Sequence, residues 1–199
     1  MQTKIATWNI NSVRLRAELV TKLLKKERPQ VLCLQECKSP VEKIPVKLFA
    51  ECGYPHIIAR GQKGYNGVAI LSCVPIKEVG AFDFAKLGQA RHIAGQLENG
   101  LTIHNFYVPA GGDIPDRIIN DKFGQKLDYL LEMKAFFQRS PPKASVLLGD
   151  LNIAISEDDV WDHKKLLKVV SHTPIEVDAL TDVQNSGGWV DVTRKDFPE

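Results

Sequence analysis

Val146-Leu147-Leu148-Gly149-Asp150-Leu151-Asn152 is an apolar run that breaks at a glycine and then presents a carboxylate and an amide. The run beginning near Ser145 suits a short buried strand. In an open α/β sheet, ligand groups collect beyond the carboxyl ends of strands. In extended backbone, Asp150 and Asn152 point to the same side. A charged acceptor beside an amide suits a phosphate or a metal-bound water. Taken alone, turn capping is the commoner use of both residue types.

The flanking sequence supports a layered α/β arrangement. Upstream, the spacing predicts a helix over 117–139 with Phe123, Leu127, Leu130, Leu131 and Phe137 inward and Pro141-Pro142 ending it. Lys122 and Lys126, one turn apart, are expected on its exposed face. Downstream come a polar loop, Ser156 to Asp159, and the capping box Thr173-Pro174-Ile175-Glu176. That helix ends at Gly187-Gly188, and Trp189 to Val192 reads as a further strand.

The amino-terminal part repeats the theme of polar groups at strand ends. A strand running from Met1 closes at Asn9, and Asn11 or Ser12 caps a helix with Leu15, Leu19, Leu23 and Leu24 on one face. Val31 to Leu34 is continuously apolar, as for a strand covered on both faces, and ends in Gln35-Glu36. The glycine-rich stretch Gly61 to Gly67 reads as a hairpin turn before Val68 to Leu71. Asn99-Gly100, between two alternating runs, is the strongest hairpin signal in the chain. It places Arg91 and Tyr107 near one rim.

The chain has 199 residues, 44% hydrophobic and 25% charged, and reads as a single domain, 1–199, with a real core. A net charge of +2 permits nucleic-acid binding only through a local basic surface. Cys33, Cys37, Cys52 and Cys73 form no CxxC pairs, so a zinc site is not expected. No leader and no apolar run of membrane-spanning length is visible, and a reduced, cytoplasmic protein is the default expectation.

Thr7-Trp8-Asn9-Ile10-Asn11, Leu34-Gln35-Glu36, Gly64-Tyr65-Asn66-Gly67-Val68-Ala69 and Gly149-Asp150-Leu151-Asn152-Ile153, in this order, resemble the bacterial exonuclease III family. That family belongs to the endonuclease/exonuclease/phosphatase superfamily. The resemblance implies a four-layered α/β sandwich, two face-to-face mixed sheets flanked by helices. It also implies Mg²⁺- or Mn²⁺-dependent hydrolysis of phosphodiesters in double-stranded DNA, at abasic sites and from 3′ ends, by a monomer. By similarity, Glu36 is the metal ligand with Asn9 beside it. Asp150 activates or holds the attacking water, Asn152 orients that Asp and the phosphate, and Tyr107 contacts the scissile phosphate. Arg91, Lys63, Lys122 and Lys126 are candidates for the DNA backbone.

The sequence departs from the family at its end. Members continue past this point to an Asp-His stretch and a Ser-Asp-His that supplies a catalytic histidine. Neither motif occurs here, and His163 and His172 stand in a different context. The expectation is therefore a domain lacking the family's carboxyl-terminal part, with an incomplete second sheet. Two alternatives stand beside the DNA-repair nuclease: an inactive fragment of such an enzyme, and another metal-dependent phosphoesterase of the superfamily.

Overall fold

In the computed structural model, which describes residues 3–196, the chain forms two compact units. The first comprises residues up to Tyr107 with Ala144–Leu151; the second comprises Val108–Lys143 and residues from Asn152 onward. Met1 and Gln2, at the start of the expected first strand, lie outside the described residues.

The first unit holds β1 (Ile5–Asn9), α1 (Ala17–Glu27), β2 (Val31–Gln35), α2 (Val46–Glu51), β3 (His56–Arg60), β4 (Val68–Ser72), β5 (Ile76–Gly80), β6 (His92–Leu97), β7 (Thr102–Tyr107) and β8 (Ser145–Asp150). The strands make two four-stranded sheets, ordered β1-β2-β4-β3 and β5-β6-β7-β8. Each is mixed: β1 lies parallel to β2 and β7 parallel to β8, while the other pairs are antiparallel. A parallel pair needs a long crossover, and residues 10–30 and 108–144 supply it.

Side chains alternate across a strand, so β2 serves two cores. Val31 and Cys33 join Val68, Ile70, Ile93 and Ile103 between the sheets. Leu32 and Leu34 face the other way, onto Val20, Leu24 and Phe49 of the flanking helices. Every residue of β2 is buried, as its unbroken apolar run predicts. Burial pushes the Cys33 thiol up and the Cys37 thiol up to about 12, so both are inert core groups.

The buried stripe of α1 is not the expected one. Leu15 and Leu19 are 84% and 47% exposed, and the core contacts fall to Val20 and Leu24, one turn apart. Asn11 and Ser12 adopt left-handed backbone and the helix starts only at Ala17, which leaves Leu15 ahead of it. Arg28, also left-handed, ends it by donating its N–H to Leu24 O.

One buried polar group crosses between the sheets. Asn105 of β7 accepts from Gln35 Nε2 at 2.7 Å and donates to the carbonyls of Leu34 and Ala69, each at 3.0 Å. Both of its polar ends are thus satisfied inside the core. Among the described residues β8 has β7 as its one strand neighbour, and all six of its residues are half-buried.

The second unit contains α3 (Asp121–Arg139), α4 (His163–Leu166), α5 (Pro174–Gly187) and α6 (Val192–Asp196). Asn120 caps α3 by accepting Lys122 N–H, so the helix begins four residues later than the sequence spacing predicts. Phe123, Leu127, Leu130, Met133 and Phe137 are buried, whereas Leu131, expected inward, is 61% exposed. It stands about 100° around the helix from Leu130. The capping box at Thr173 forms as read, with Glu176 accepting the Thr173 N–H, and Gly188 closes α5 in left-handed backbone. The strand expected over Trp189 to Val192 does not form. Asp191 accepts the N–H groups of Thr193 and Arg194 and starts α6, while the Trp189 ring packs edge-on against Phe137 at 5.2 Å.

Candidate active site

The two parallel pairs set carboxyl-terminal strand ends side by side. Asn9 lies in register with Gln35, and Tyr107 with Asp150. Both pairs meet at one rim of the first unit, where a single amide ties them together. Asn9 Nδ2 donates to Glu36 Oε1 at 2.9 Å and to Asp150 Oδ2 at 2.7 Å. Tyr107 Oη donates to the same Glu36 Oε1 at 2.9 Å. The sequence reading thus placed Asn9, Glu36, Tyr107 and Asp150 at separate strand ends, and the fold brings these four into one hydrogen-bonded network.

Local backbone aims each group. Glu36 leaves β2 in left-handed conformation, φ 53°. Its turn is fixed from both flanks: Ser12 N–H donates to Glu36 O at 2.7 Å, Cys37 N–H to Gly67 O at 3.0 Å and Lys38 N–H to Asn66 O at 2.8 Å. The glycine-rich stretch therefore supports the acid's turn. Gly149, just before Asp150, has φ +135°, and a Cβ there would lie 1.9 Å from Phe106 O. No other residue fits that position.

Tyr107 is itself braced. The Arg91 guanidinium lies 4.6 Å over its ring, donates to its carbonyl at 3.2 Å and holds Gln89 Oε1 at 2.5 Å. Burial and the Glu36 hydrogen bond push the Tyr107 phenol up to about 12, so it keeps its proton and remains a donor. Burial pushes the Glu36 carboxyl up, but hydrogen bonds from Lys38, Asn9 and Tyr107 outweigh it and hold the group below the usual range.

Lys38 was not foreseen. Its ammonium lies 2.7 Å from Glu36 Oε2 and also holds Asn11 Oδ1 at 2.6 Å. The signal was a base two residues past a strand-end acid, in Gln35-Glu36-Cys37-Lys38. Asn152 departs from its expected setting. The strand ends at Asp150, so the two side chains do not share extended backbone; Asn152 has φ 52°, belongs to the second unit, and donates Nδ2 to Val108 O at 2.9 Å.

The basic candidates divide by exposure. Lys63 and Lys122 are exposed, on the first and second units respectively. Lys126 does not share the exposed face of Lys122: it is 0% exposed and paired with Glu176 at 2.5 Å. One helical turn is not a whole number of residues, and four positions on from Lys122 the buried flank of α3 has come round. His163, His172 and His104 take structural places. His163 Nδ1 and His172 Nε2 share a hydrogen bond at 2.9 Å, and His104 stacks on His92.

A profile of one protein family, described as Endonuclease/Exonuclease/phosphatase, matches residues 6–197. The chain belongs to that family. Relatives of the Endonuclease/Exonuclease/phosphatase family similar to it include exodeoxyribonuclease III of Haemophilus influenzae, 30% identical over 79% of this chain and 60% of the relative. The chain therefore spans about 60% of the length of that relative. The solved structure of an AP endonuclease from Archaeoglobus fulgidus is 33% identical, with a TM-score of 0.88 over 98% of this chain and 74% of that one. A structure of the 3′ phosphatase NExo from Neisseria, bound to product DNA hairpin, is 30% identical, with a TM-score of 0.89 over 100% of this chain and 76% of that one. The α/β architecture with two mixed four-stranded sheets matches the AP endonuclease fold, and the likeness to exonuclease III holds. No helix among the described residues is long and apolar enough to cross a membrane.

Endonuclease/Exonuclease/phosphatase proteins imply a divalent metal, and the donor set can be tested against one. The described residues contain no cluster of three His, Cys, Asp or Glu. The rim offers oxygen donors, the carboxylates of Glu36 and Asp150 bridged by Asn9. Mg²⁺ prefers oxygen and needs only one or two carboxylates, the rest of its shell being water and substrate. Glu36 Oε2 already faces a cation, the Lys38 ammonium. The residues fit a hard divalent ion and not a zinc site.

Proposed function

We propose that this family member is a Mg²⁺- or Mn²⁺-dependent nuclease that hydrolyses phosphodiesters of duplex DNA at abasic sites and 3′ ends. The reading rests on one observation above the rest: Asn9 bridges two carboxylates from different sheets, with a protonated tyrosine donating to one of them. A phosphodiester repels a nucleophile, so its cleavage needs charge stabilisation on one side and a held water on the other. The AP endonuclease and the DNA-bound 3′ phosphatase among its relatives support DNA as the substrate class.

In this reading Glu36 and Asn9 hold the metal, which would supply charge neutralisation at the phosphate oxygens. Lys38 is a third exposed and can withdraw from Glu36 as the ion binds. Asp150 holds the water and takes its proton. Tyr107, kept protonated, donates to a phosphate oxygen. Asn152 orients the phosphate, and Arg91, Lys63 and Lys122 meet the DNA backbone. Lys126 is withdrawn from that set because it is buried.

The test is cleavage of abasic duplex DNA with Mg²⁺ or Mn²⁺, beside a panel of small phosphodiesters. Glu36→Gln should abolish metal-dependent cleavage without changing the fold. Asp150→Asn should lower kcat by roughly two to three powers of ten while DNA affinity holds, and Tyr107→Phe should cost less. Near-normal turnover by Glu36→Gln would refute the metal assignment, and a preference for the small diesters would favour another phosphoesterase.

A further inference from the structure

We infer that Lys126 is a positioning residue: a buried ammonium that sets the backbone of the segment carrying Asn152. The inference rests on the proposed role of Asn152, and all the groups it uses belong to the second unit. Lys126 Nζ donates to Asn152 O at 2.8 Å, to Ala110 O at 3.2 Å and to Glu176 Oε1 at 2.5 Å, with Ser171 Oγ at 3.4 Å. The amide side chain of Asn152 donates to Val108 O at 2.9 Å. Asn152 is therefore tied to the 108–110 segment twice, directly by its own amide and through the ammonium that holds Ala110 O. Just beyond, Ala154 N–H donates to Ser171 O at 2.8 Å, and His172 Nδ1 meets Ala154 O at 2.8 Å.

The residue types suit this task. Asn152 is left-handed, φ 52°, a region that asparagine enters more readily than most residues with side chains, and the ammonium on its carbonyl adds to that preference. A lysine brings a compact head whose donors converge on carbonyls from separate segments, which a planar guanidinium does not. Glu176 fixes the head in turn, and it is anchored by Ser171 N–H at 2.9 Å and Thr173 Oγ1 at 2.6 Å. Gly111, φ +93°, makes room for the stem: a Cβ there would stand 2.9 Å from Lys126 Cδ. No step of the proposed chemistry needs Lys126 to touch DNA, and its burial prevents it.

Lys126→Met alone strands the Glu176 charge, so the test uses the double variant Lys126→Met/Glu176→Gln, which keeps the site neutral and leaves Glu176's acceptor role to the amide. Amide hydrogen exchange is read first. In the unaltered protein Ala154 N–H should be strongly protected, and in the double variant it should exchange at least about tenfold faster while α3 amides near Leu130 keep their rates. On abasic duplex DNA with Mg²⁺, the double variant should lose roughly 100-fold in kcat, with KM within about threefold. In an Asn152→Ala background the same double change should cost nothing further, because Lys126 acts through Asn152. Ala154 exchanging freely in the unaltered protein, unchanged exchange in the double variant, or a full additional kcat loss on Asn152→Ala would each overturn the inference. An unaltered protein that cuts no DNA would instead refute the functional reading, and the exchange results would still decide whether Lys126 sets this segment.

Discussion

Lys38 sits 2.7 Å from Glu36 and Lys126 sits 2.5 Å from Glu176, so by distance the two ion pairs are near equals. Exposure separates them. The side chains of the first pair are 33% and 19% exposed, and those of the second are both 0%. Water can take over either charge of the first pair when the other leaves. Neither charge of the second pair can be abandoned, because a lone ion in a dry interior has no substitute partner. A glutamate with a half-open lysine is suited to exchanging cations, and a glutamate with a sealed one is suited to holding backbone. Distance alone would have assigned both pairs the same task.

The largest effect expected from this contrast is on stability. Lys126→Met should destabilise the protein by about 3–5 kcal/mol, the usual cost of leaving one buried charge unpaired. Urea unfolding measures it, and a loss below about 1 kcal/mol would erase the distinction between the pairs. Next comes an acid titration. His92 and His104 are buried and stacked, and burial lowers both, His104 to about 4. The unfolded chain therefore binds more protons than the folded one as pH falls from 6.5 toward 4. Stability is full above 6.5 and drains across that window, by roughly 3 kcal/mol for His104 alone. His104→Phe, which suits the aromatic surroundings, should flatten the slope, and an unchanged slope would trace the loss to another group. The smallest effect belongs to Lys38→Met, which should shift stability by less than about 1 kcal/mol in the same unfolding assay.

Much of this molecule is legible in its sequence, for reasons that can be named. The unbroken apolar run of β2 could only be a strand buried on both faces, and Asn99-Gly100 could only turn a hairpin. Polar groups after apolar runs marked Asn9, Glu36, Tyr107 and Asp150, because parallel pairs align such ends. Side-chain direction was harder to see. Leu15 looks inward by spacing, yet two left-handed residues at Asn11 and Ser12 delay the helix past it. Trp189 and Val190 look like a strand, yet Asp191 starts a helix and the indole finds Phe137. Lys126 reads as a surface charge because its partner, Glu176, is fifty positions away and already accounted for by a capping box. Long-range pairing of charges leaves no local pattern, so the interior node was invisible where the rim was plain.

Asn105 carries a consequence for how the rim keeps its tolerance. The hydrophobic effect between the sheets is non-directional: a slip of about 6.6 Å along the strands, two residues, brings the same face back and would rebury similar surface. The Tyr107–Glu36 contact would not survive it, since a hydrogen bond tolerates only a few tenths of an ångström. The amide of Asn105 recognises Leu34 O, Ala69 O and Gln35 at once, and only one alignment offers all three. It acts as the index mark between two otherwise sliding plates. Replacing it with leucine would preserve the core's greasiness while removing that ruler, so the protein would stay folded and lose its aim.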